Sequence, residues 1–490
     1  MSLRPVNQEQ AWLLPPNIDE LLAADHPARF VAAFVAGLKL AEWTELGIDL
    51  EGEVLGAPAY HPRLLLSVWL YGFMSGTRSS RKLERACREQ IPFLWLTGRQ
   101  YPDHNTLWRF YQAHRQAMRN LLKYTVATAM EVGLVDLAVQ AVDGTKVAAN
   151  AAGDQTYDAT GLQRLLDRTE AAITELEAQN ETDDTPSPPR LPDELQHFQV
   201  LREKVRRALD QLAETKQKQV NLTDGDAHLM KGRQGIMPAY NAQAVASPLT
   251  SGDGMLITAA DVVDSATDYG QLVPMLEQAE ELTGQRVDLT LADGGYHTAA
   301  NLVAGEQRGQ RLVMTERYPK EAQGPYFKDQ FHYDANTDSY LCPEGQVLPF
   351  SGIRRKNGQM LGPFRVYRGS KPVCHACPAY GVCTKDRHTG RALWIGPADT
   401  LLREHREWMT TEQAKSLYSR RKGLIEPVFG ILKEQLGARR FLLRGLARVQ
   451  AEFSLLATAF NLRMLWRAAK DRQDANPLPG PGRSAVPQRS

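Results

Sequence analysis

Two apolar runs rich in β-branched residues end in the same way, at an aspartate that is followed at once by glycine. The first ends at Asp143 in the segment AVQAVDGTKVAAN, and the second ends at Asp293 in VDLTLADGGYH. Short runs of this composition, bounded by a turn residue, are typical of buried strands. An aspartate at the end of such a strand can project its short carboxylate into an open site. Taken singly, an aspartate before glycine is also a common turn residue.

A third acidic residue, Glu426, lies in the strongly helical segment YSRRKGLIEPVFGILKEQLG. Lys433 follows seven residues later, about two helical turns along the same face. Hard cations such as Mg²⁺ prefer oxygen ligands, and a few carboxylates with phosphate oxygens are enough to hold them. Two aspartates, a glutamate and neighbouring arginines therefore predict a metal-dependent phosphodiester site. A glutamate in the middle of a helix would otherwise be expected to face water.

Together these motifs resemble those of bacterial insertion-sequence transposases of the DDE type, the branch with an RNase H-like catalytic core. The matching pieces are the DGT motif at Asp143, the ADGGY motif at Asp293 and a Y-x2-R…E-x6-K signature formed by Tyr418, Arg421, Glu426 and Lys433. In the usual signature the arginine stands one residue closer to the glutamate. Lys422 occupies that place here, so either Arg421 or Lys422 could fill the role. The resemblance spans roughly residues 10 to 465.

The resemblance implies that Asp143, Asp293 and Glu426 are the catalytic residues and bind Mg²⁺ (or Mn²⁺) for two-metal phosphoryl chemistry. Water would nick one strand, and the freed 3′-hydroxyl would attack a second phosphodiester at the same site. The aspartates, 150 positions apart, would lie on the first and fourth strands of the core, as neighbours in the sheet. Lys433, Tyr418 and either Arg421 or Lys422 would contact DNA phosphates. The implied partner is double-stranded DNA, both transposon ends and target, bound by a homodimer.

The whole chain sets broad limits on the class of protein. At 490 residues it is too long for one compact core, and roughly two to four structural units are expected. Hydrophobic residues make up 43% of the chain, and no run of 18 apolar residues predicts a membrane span. The N-terminus lacks the basic start and apolar stretch of a secretory signal. These features predict a cytoplasmic protein, and the resemblance implies a bacterial, nucleoid-associated one.

Positive charge is concentrated in two regions, although the net charge is only +1. Residues 60–123 contain eleven Lys or Arg against three acids, and residues 403–448 contain eleven against five. Two basic regions on either side of a carboxylate cluster suit a polyanion that passes a metal site. The candidate DNA contacts in the first region are Arg81, Lys82 and Arg109. Ordinary solvated helix faces are the alternative for either region alone.

The chain alternates several times between helix-like and strand-like sequence patterns, which predicts a multi-domain α/β protein. An RNase H-like mixed sheet with helices would follow an all-α, helix-turn-helix-like domain, and two insertions would interrupt the core. The predicted units are a helical DNA-binding domain (1–130), the first parts of the core (131–155 and 222–317), a helical-hairpin insertion (156–221), a Cys-rich insertion (318–400), the C-terminal core helices that carry Glu426 (401–470) and a disordered tail (471–490).

Four of the five cysteines fall within the Cys-rich insertion: Cys342, Cys374, Cys377 and Cys383. The Cys374-x2-Cys377 pair is knuckle-like, and the two outer residues complete the four-thiolate set that a structural Zn²⁺ prefers. Disulfides are less expected in a cytosolic chain. Reduced free thiols and a redox or iron–sulfur role are the alternatives, and His375 and His388 are candidate substitute ligands. Cys87, alone on a basic helix, is expected to be a small buried residue.

The leading interpretation is an enzyme that recognises the terminal inverted repeats of its own mobile element and cuts and joins DNA. A related nuclease that hydrolyses without strand transfer is a rival within the enzymes. A catalytically inactive or domesticated DNA-binding derivative would be expected to have lost a carboxylate, yet all three are present. A zinc-ribbon regulator would explain only the cysteines.

Overall fold

The computed structural model describes residues 17–50, 59–181, 193–215, 217–232, 235–251, 254–316, 324–355 and 361–475. Most of the predicted disordered tail, residues 476–490, lies outside the described residues. The first five residues assigned to that tail, 471–475, belong to the last helix.

The N-terminal part of the chain is helical. Two of its helices begin at a His-Pro pair, where Nδ1 of His26 and of His61 accepts a hydrogen bond from the N–H of Ala28 and of Arg63, respectively. Proline suits the first helical turn because its missing N–H has no partner there in any case. The helices are α1 (Pro27–Gly37), α2 (Leu40–Glu45), α3 (Pro62–Met74), α4 (Ser80–Glu89), α5 (Ile91–Leu96), α6 (His104–Ala113) and α7 (Arg115–Glu131).

A mixed sheet follows and carries the candidate site. Its strands are β1 (Gln140–Ala148), β4 (His228–Gly232), β5 (Gly235–Pro248), β6 (Met255–Val263), β7 (Leu289–Ala292) and β8 (Arg311–Val313). A separate two-stranded antiparallel sheet is formed by β2 (Thr156–Asp158) and β3 (Gln219–Asn221). The spatial order is β4-β5-β1-β7-β8, and β6 pairs with β5. Strand β5 is antiparallel to β1 and β6, whereas β7 is parallel to both β1 and β8.

Two insertions have hydrophobic clusters of their own. Helices α8 (Ala159–Glu181) and α9 (Asp193–Thr215) pack together on β2 and β3 around Leu162, Val205 and Val220. The later insertion is an antiparallel sheet whose small core includes Phe331, Tyr340 and Tyr367. Its strands are β9 (His332–Asp334), β10 (Ser339–Leu341), β11 (Val347–Arg354), β12 (Phe364–Arg368) and β13 (Ala392–Ile395). A short helix, α12 (Lys371–Ala376), lies between β12 and β13 in the chain.

The remaining helices cover both faces of the main sheet. They are α10 (Leu272–Thr283), α11 (Ala299–Gln307), α12 (Lys371–Ala376, within the later insertion), α13 (Asp399–Met409), α14 (Glu412–Gly430), a π-helical turn (Ile431–Gln435) and α15 (Leu446–Ala475). Helices α10 and α11 pack over the face that carries Val142 and Val245. The opposite face shares one continuous hydrophobic cluster with the N-terminal helices, α14 and α15. Helices on both faces of a mixed sheet confirm the predicted α/β class. None of the helices in the described ranges is long and apolar enough to cross a membrane.

Helix α15 is buried between the N-terminal helices and the sheet. The amide of Asn461 joins the two layers, because it accepts from the N–H of Ile257, at 2.9 Å, and donates to the carbonyl of Ile257, at 2.8 Å, and to Thr125 Oγ1, at 3.1 Å. Buried polar groups require such partners, because a buried group without one loses its hydrogen bonds to water and gains none in the protein. One side chain of α15 therefore holds both α7 and β6.

A buried ion pair makes a second connection to the N-terminal helices. Arg78 Nη1 donates to Glu452 Oε1 at 2.9 Å, with the two side chains 7% and 2% exposed. Burial raises the pKa of Glu452, and the charge of Arg78 opposes that shift. Arg78 also donates to the carbonyl of Arg440 at 2.9 Å, and Glu452 accepts from the N–H groups of Leu442 and Leu443 at 3.0 Å. Arg78, two positions before α4, is thus fixed to the segment between the π-helical turn and α15.

Replacing Arg78 with methionine should lower the free energy of unfolding by about 3–5 kcal/mol, because Glu452 would remain buried without its partner. Urea titration of the purified protein measures this change. The control is Arg85→Met, which breaks the exposed Arg85–Glu89 pair (77% and 55% exposed) and should leave the unfolding midpoint nearly unchanged. Equal effects of the two substitutions would contradict the role given to the buried pair.

Candidate active site

Asp143 and Asp293 lie at neighbouring positions of the main sheet. Strands β1 and β7 are parallel, and Val142 pairs with Ala292. Asp293 follows the last residue of β7, whereas Asp143 lies within β1, which continues to Ala148. The expectation that Asp143 ends its strand is therefore wrong, because pairing with β5 extends β1 beyond it. Gln140 Nε2 donates to Thr290 Oγ1 at 3.0 Å inside the sheet, which reinforces this register. The two aspartates are neighbours in the sheet, as the family resemblance implies.

Asp143 is partly buried and lies against an arginine. Its Oδ2 accepts from Arg421 Nη1 at 2.9 Å, with side-chain exposures of 18% and 11%, and its Oδ1 accepts from the N–H of Gly144 at 2.8 Å. Burial raises the pKa of Asp143 to about 6; the charge of Arg421 lowers it, and the charge of Asp293 raises it. Two like charges are therefore held close together, with one cation as their direct neighbour.

Asp293 begins a tight turn that leads into α11. Its Oδ1 accepts from the N–H of Gly295 at 2.7 Å, and its carbonyl accepts from the N–H of Tyr296 at 3.2 Å. The Tyr296 ring is fully buried, and its hydroxyl donates to Gln243 Oε1 on β5. Burial raises the pKa of Tyr296 well above its ordinary value, and the charges of the neighbouring aspartates add to this. The turn after Asp293 is thereby tied to the strand on the far side of β1.

Helix α14 and the π-helical turn bring the remaining signature residues to β1. Arg421 is buried on Asp143, whereas Lys422 is exposed. Lys433 Nζ donates to Thr145 Oγ1 and, at 3.3 Å, to the carbonyl of Lys146. Glu426 is exposed on α14, between the arginine that contacts Asp143 and the lysine that contacts Thr145. Arg421 of α14 and Lys433 of the π-helical turn thus both contact β1.

Tyr418 lies one turn before Arg421 on the same helix. Its hydroxyl accepts from Thr315 Oγ1, just after β8, at 3.2 Å. The Arg421 guanidinium lies 5.9 Å from the centre of the Tyr418 ring. A cation at this distance from an aromatic ring gains a modest attraction, so Tyr418 helps to orient Arg421.

A second layer of polar residues behind Asp143 has no counterpart in the sequence-based prediction. Asp268, between β6 and α10, accepts from Asn241 Nδ2 and Gln243 Nε2, both at 2.8 Å, and lies 3.6 Å from Lys146 Nζ. Burial lowers the pKa of Lys146, and the charges of Asp268, Asp293 and Asp143 oppose this. One sequence signal was available. Asn241 and Gln243 alternate within the apolar strand segment PAYNAQAVAS, and buried amides require partners.

The oxygen-rich character of the site suits a hard cation. In the part of the chain that the structure describes, no group of three or more His, Cys, Asp or Glu side chains is arranged so that it could hold a metal ion. The two aspartates nevertheless provide adjacent carboxylate oxygens, the ligands that Mg²⁺ and Mn²⁺ prefer. Burial is the main cause of the raised pKa of Asp143, and the charge of Asp293 adds to it; a bound cation would offset the negative charge of both carboxylates. The two aspartates therefore fit the implied ion by their chemistry.

The candidate DNA contacts of the N-terminal helices are at the surface. Arg81 and Lys82 on α4, and Arg109 on α6, are all exposed. The turn before α4 lies against the end of the π-helical turn, because a Cβ on Gly76 would be 3.0 Å from the carbonyl oxygen of Gln435. The basic helix α4 therefore begins close to the segment that follows Lys433.

The four clustered cysteines line one cavity of the later insertion, together with Tyr326, Glu344 and Arg391. The N–H of Gln346 donates to Cys342 Sγ at 3.2 Å, and the N–H of Arg391 donates to Cys374 Sγ at 3.4 Å. Burial raises the pKa of Cys383, and the other three cysteines raise it further. All five cysteines are free thiols, and Cys87 is buried, as expected.

Two histidines pack together beside the turn that starts at Asp293. The rings of His297 and His405 have centroids 5.3 Å apart, and His405 Nε2 lies 3.2 Å from the carbonyl oxygen of Leu312. Among the described residues, His297 Nε2 and His405 Nδ1 have no hydrogen-bond partner. Burial lowers the pKa of His297 to about 4, and the charges of His405 and Arg406 lower it further. Burial also lowers the pKa of His405.

The histidine pair should make the protein less stable in mild acid. Both histidines have folded-state pKa values below the ordinary 6.5, so their contribution is fully present above that pH and is lost towards about pH 4. Each group adds a slope of at most about 1.4 kcal/mol per pH unit. His405→Gln keeps a donor for Leu312 without titrating, and should reduce the fall in melting temperature between pH 7 and pH 5. His332→Gln, at an exposed position, is the control; equal pH profiles for wild type and His405→Gln would contradict the prediction.

Two family models match the chain. Residues 341–466 match the transposase DDE domain, and residues 16–113 match a transposase domain (DUF772). The first range contains the clustered cysteines and α14, the second contains α4 and α6, and Asp143 and Asp293 lie between them. Neither the curated proteins nor the solved structures gave a match. The two matches support an insertion-sequence DDE transposase, the family that the sequence motifs resemble.

Proposed function

We propose that this protein binds the terminal inverted repeats of its insertion sequence and catalyses metal-dependent cleavage and strand transfer of DNA. The transposase DDE family implies an enzyme that cuts and transfers DNA. The observation that carries the proposal is the parallel pairing of β1 with β7, which sets Asp143 beside Asp293 under the helix of Glu426.

The order of the core strands supports an RNase H-like catalytic core. In chain order the strands are β1, β5, β6, β7 and β8, and in space they run β6-β5-β1-β7-β8. The first three are joined as antiparallel neighbours, and the last two are parallel to β1. This arrangement agrees with the core that the resemblance implies. Both aspartates lie where the parallel pairing of β1 with β7 stops, Asp143 within β1 and Asp293 just after β7.

Asp143, Asp293 and Glu426 would hold Mg²⁺ or Mn²⁺, which when bound activates the attacking oxygen and stabilises the leaving oxygen of an in-line displacement. Lys433 presents its ammonium beside Thr145, where it would bind a phosphate next to the scissile bond. Tyr418 and Arg421 would contact DNA from the same helix. Lys422, exposed on α14, would contribute a phosphate contact farther from the aspartates. The same site would serve hydrolysis and strand transfer, because both are displacements at phosphorus.

The basic N-terminal helices would bind the transposon end. Arg81, Lys82 and Arg109 are exposed, and α4 begins near the segment after Lys433, so one duplex could reach both regions. Phosphate contacts by such side chains supply affinity that falls steeply with salt. A homodimer would hold two ends together for joining.

The cleavage assay uses labelled DNA that carries the flanking ends of the element, with Mg²⁺ or Mn²⁺. Asp143→Asn, Asp293→Asn and Glu426→Gln should each reduce nicking and joining at least about 100-fold, the scale of losing one electrostatic stabiliser of the transition state. End binding, measured by gel shift, should persist. Glu412→Gln, also on α14 but exposed and paired only with Lys415 among the described residues, should cut normally.

Different outcomes separate the rival functions. Nicking without joined products would indicate a nuclease. Equal end binding by wild type and Asp293→Asn with no cutting by either would indicate a domesticated DNA-binding protein and would overturn the proposed catalysis.

We further propose that Cys342, Cys374, Cys377 and Cys383 hold a structural Zn²⁺. All four line one cavity without being arranged around a common point, so binding of an ion would draw the thiols together. Two of the sulfurs accept hydrogen bonds from backbone N–H groups, which favour the thiolate form. A metal would stabilise an insertion whose buried core is small.

Purified protein should contain about one zinc per chain by elemental analysis, following the four-thiolate stoichiometry of structural sites. Cys374→Ser should lose the zinc, whereas Cys87→Ser, on α4, should keep it. Absence of metal from the wild type would indicate free thiols, and visible absorption with bound iron would indicate an iron–sulfur cluster.

A further inference from the structure

Asp268 occupies a central place in the polar layer behind the candidate catalytic aspartates. It lies in the segment DSATDYG between β6 and α10, and its side chain is 20% exposed. Its Oδ1 accepts from both Asn241 and Gln243, the residues that pair with Lys146 and Gly144 across the β1–β5 ladder. One carboxylate oxygen thus gathers two amides from β5, with Lys146 of β1 close by.

Two glycines near the aspartates, Gly144 and Gly295, lie close to this carboxylate. A Cβ on Gly144 would lie 2.6 Å from Asp268 Oδ1 and 2.2 Å from Gln243 Nε2. A Cβ on Gly295 would lie 3.1 Å from Asp268 Oδ2 and 2.9 Å from Asp293 Oδ1. Asp268 therefore contacts the backbone after Asp143 and after Asp293, with Oδ2 directed towards the second.

An independent observation marks the same place as a site for a further group. Asn241 is fully buried, and its Oδ1 has no hydrogen-bond partner among the described residues. That oxygen is 3.0 Å from the Cβ position of Gly144. An unpartnered buried acceptor costs about 1–3 kcal/mol, so a donor is expected there. Water molecules in the hydration shell of a cation are donors that would satisfy both Asn241 Oδ1 and Asp268 Oδ2.

The charges of the site suit a cation. Asp143 pairs with Arg421 and Asp268 with Lys146. With Asp293, the three carboxylates outnumber these two cations before Glu426 is counted. A divalent ion would offset this excess.

We propose that Asp268 is a fourth carboxylate of the site, a positioning residue that holds β1 at Gly144, the turn after Asp293 and Lys146 in place and strengthens metal binding without taking the role of Asp143 or Asp293. The inference rests on the proposed function. According to this inference, the segment between β6 and α10 contributes to metal affinity, although it belongs to none of the recognised motifs.

The test measures Mn²⁺ binding to the full-length protein by electron paramagnetic resonance, without DNA, and DNA cleavage as a function of Mn²⁺ concentration. Asp268→Asn keeps the size of the side chain, and the amides of Asn241 and Gln243 can turn to suit it. It should raise the Mn²⁺ Kd about 10- to 100-fold, as expected for partners that orient metal ligands. High Mn²⁺ should then restore much of the lost cleavage. Asp264→Asn, four residues earlier and exposed, is the matched control and should behave as wild type.

Two results would overturn the inference. Wild-type Kd and cleavage in Asp268→Asn, with Asp293→Asn inactive, would leave the proposed function intact and remove Asp268 from the site. A lower melting temperature with an unchanged Kd and no rescue by Mn²⁺ would show a purely structural role. An active Asp293→Asn would instead refute the proposed function itself.

Discussion

The site depends on the pairing of β1 along both of its edges. Strand β5 holds one edge in antiparallel register and β7 holds the other in parallel register, so β1 cannot slide without breaking both ladders. A slip of one residue would turn Asp143 to the opposite face, because side chains alternate along a strand. The register of β1 therefore fixes Asp143 beside Asp293, opposes Lys146 to Asn241, and presents Asp143 and Thr145 to the helix that carries Arg421 and Lys433.

Around this strand, charge is arranged in two layers. On the side of α14, Arg421 contacts Asp143 directly, at 2.9 Å. On the side of α10, Asp268 and Lys146 lie behind the backbone at Gly144, which has no side chain to separate the layers. The charges of the two layers interact, since Asp143, Asp293 and Asp268 all raise the pKa of Lys146. A substitution in either layer should therefore alter the affinity for a cation.

Local sequence patterns predicted part of this site, because strands and helix faces are defined by residues that are close together in the sequence. Asp143 and Asp293 were recognisable from apolar runs that end in Asp-Gly, and the α/β class followed from the same runs. The choice between Arg421 and Lys422 could not be made from spacing, since it depends on which side chain of α14 is buried against β1. Asp268 lacked a motif of its own, because its partners are on a different strand. The packing of the N-terminal helices on α15 could not be predicted from the sequence either, because Arg78 and Glu452 are 374 positions apart.

The contacts of α15 also determine when the molecule can be completed during synthesis. Glu452 emerges from the ribosome 374 residues after its partner Arg78, and Asn461 emerges 336 residues after its partner Thr125 on α7. At roughly 5–20 residues per second, the apolar faces of the N-terminal helices stay uncovered for many seconds. A nascent chain that stops before α15 therefore lacks the helix that closes the core over these faces. Copies terminated at that point should be degraded or aggregate.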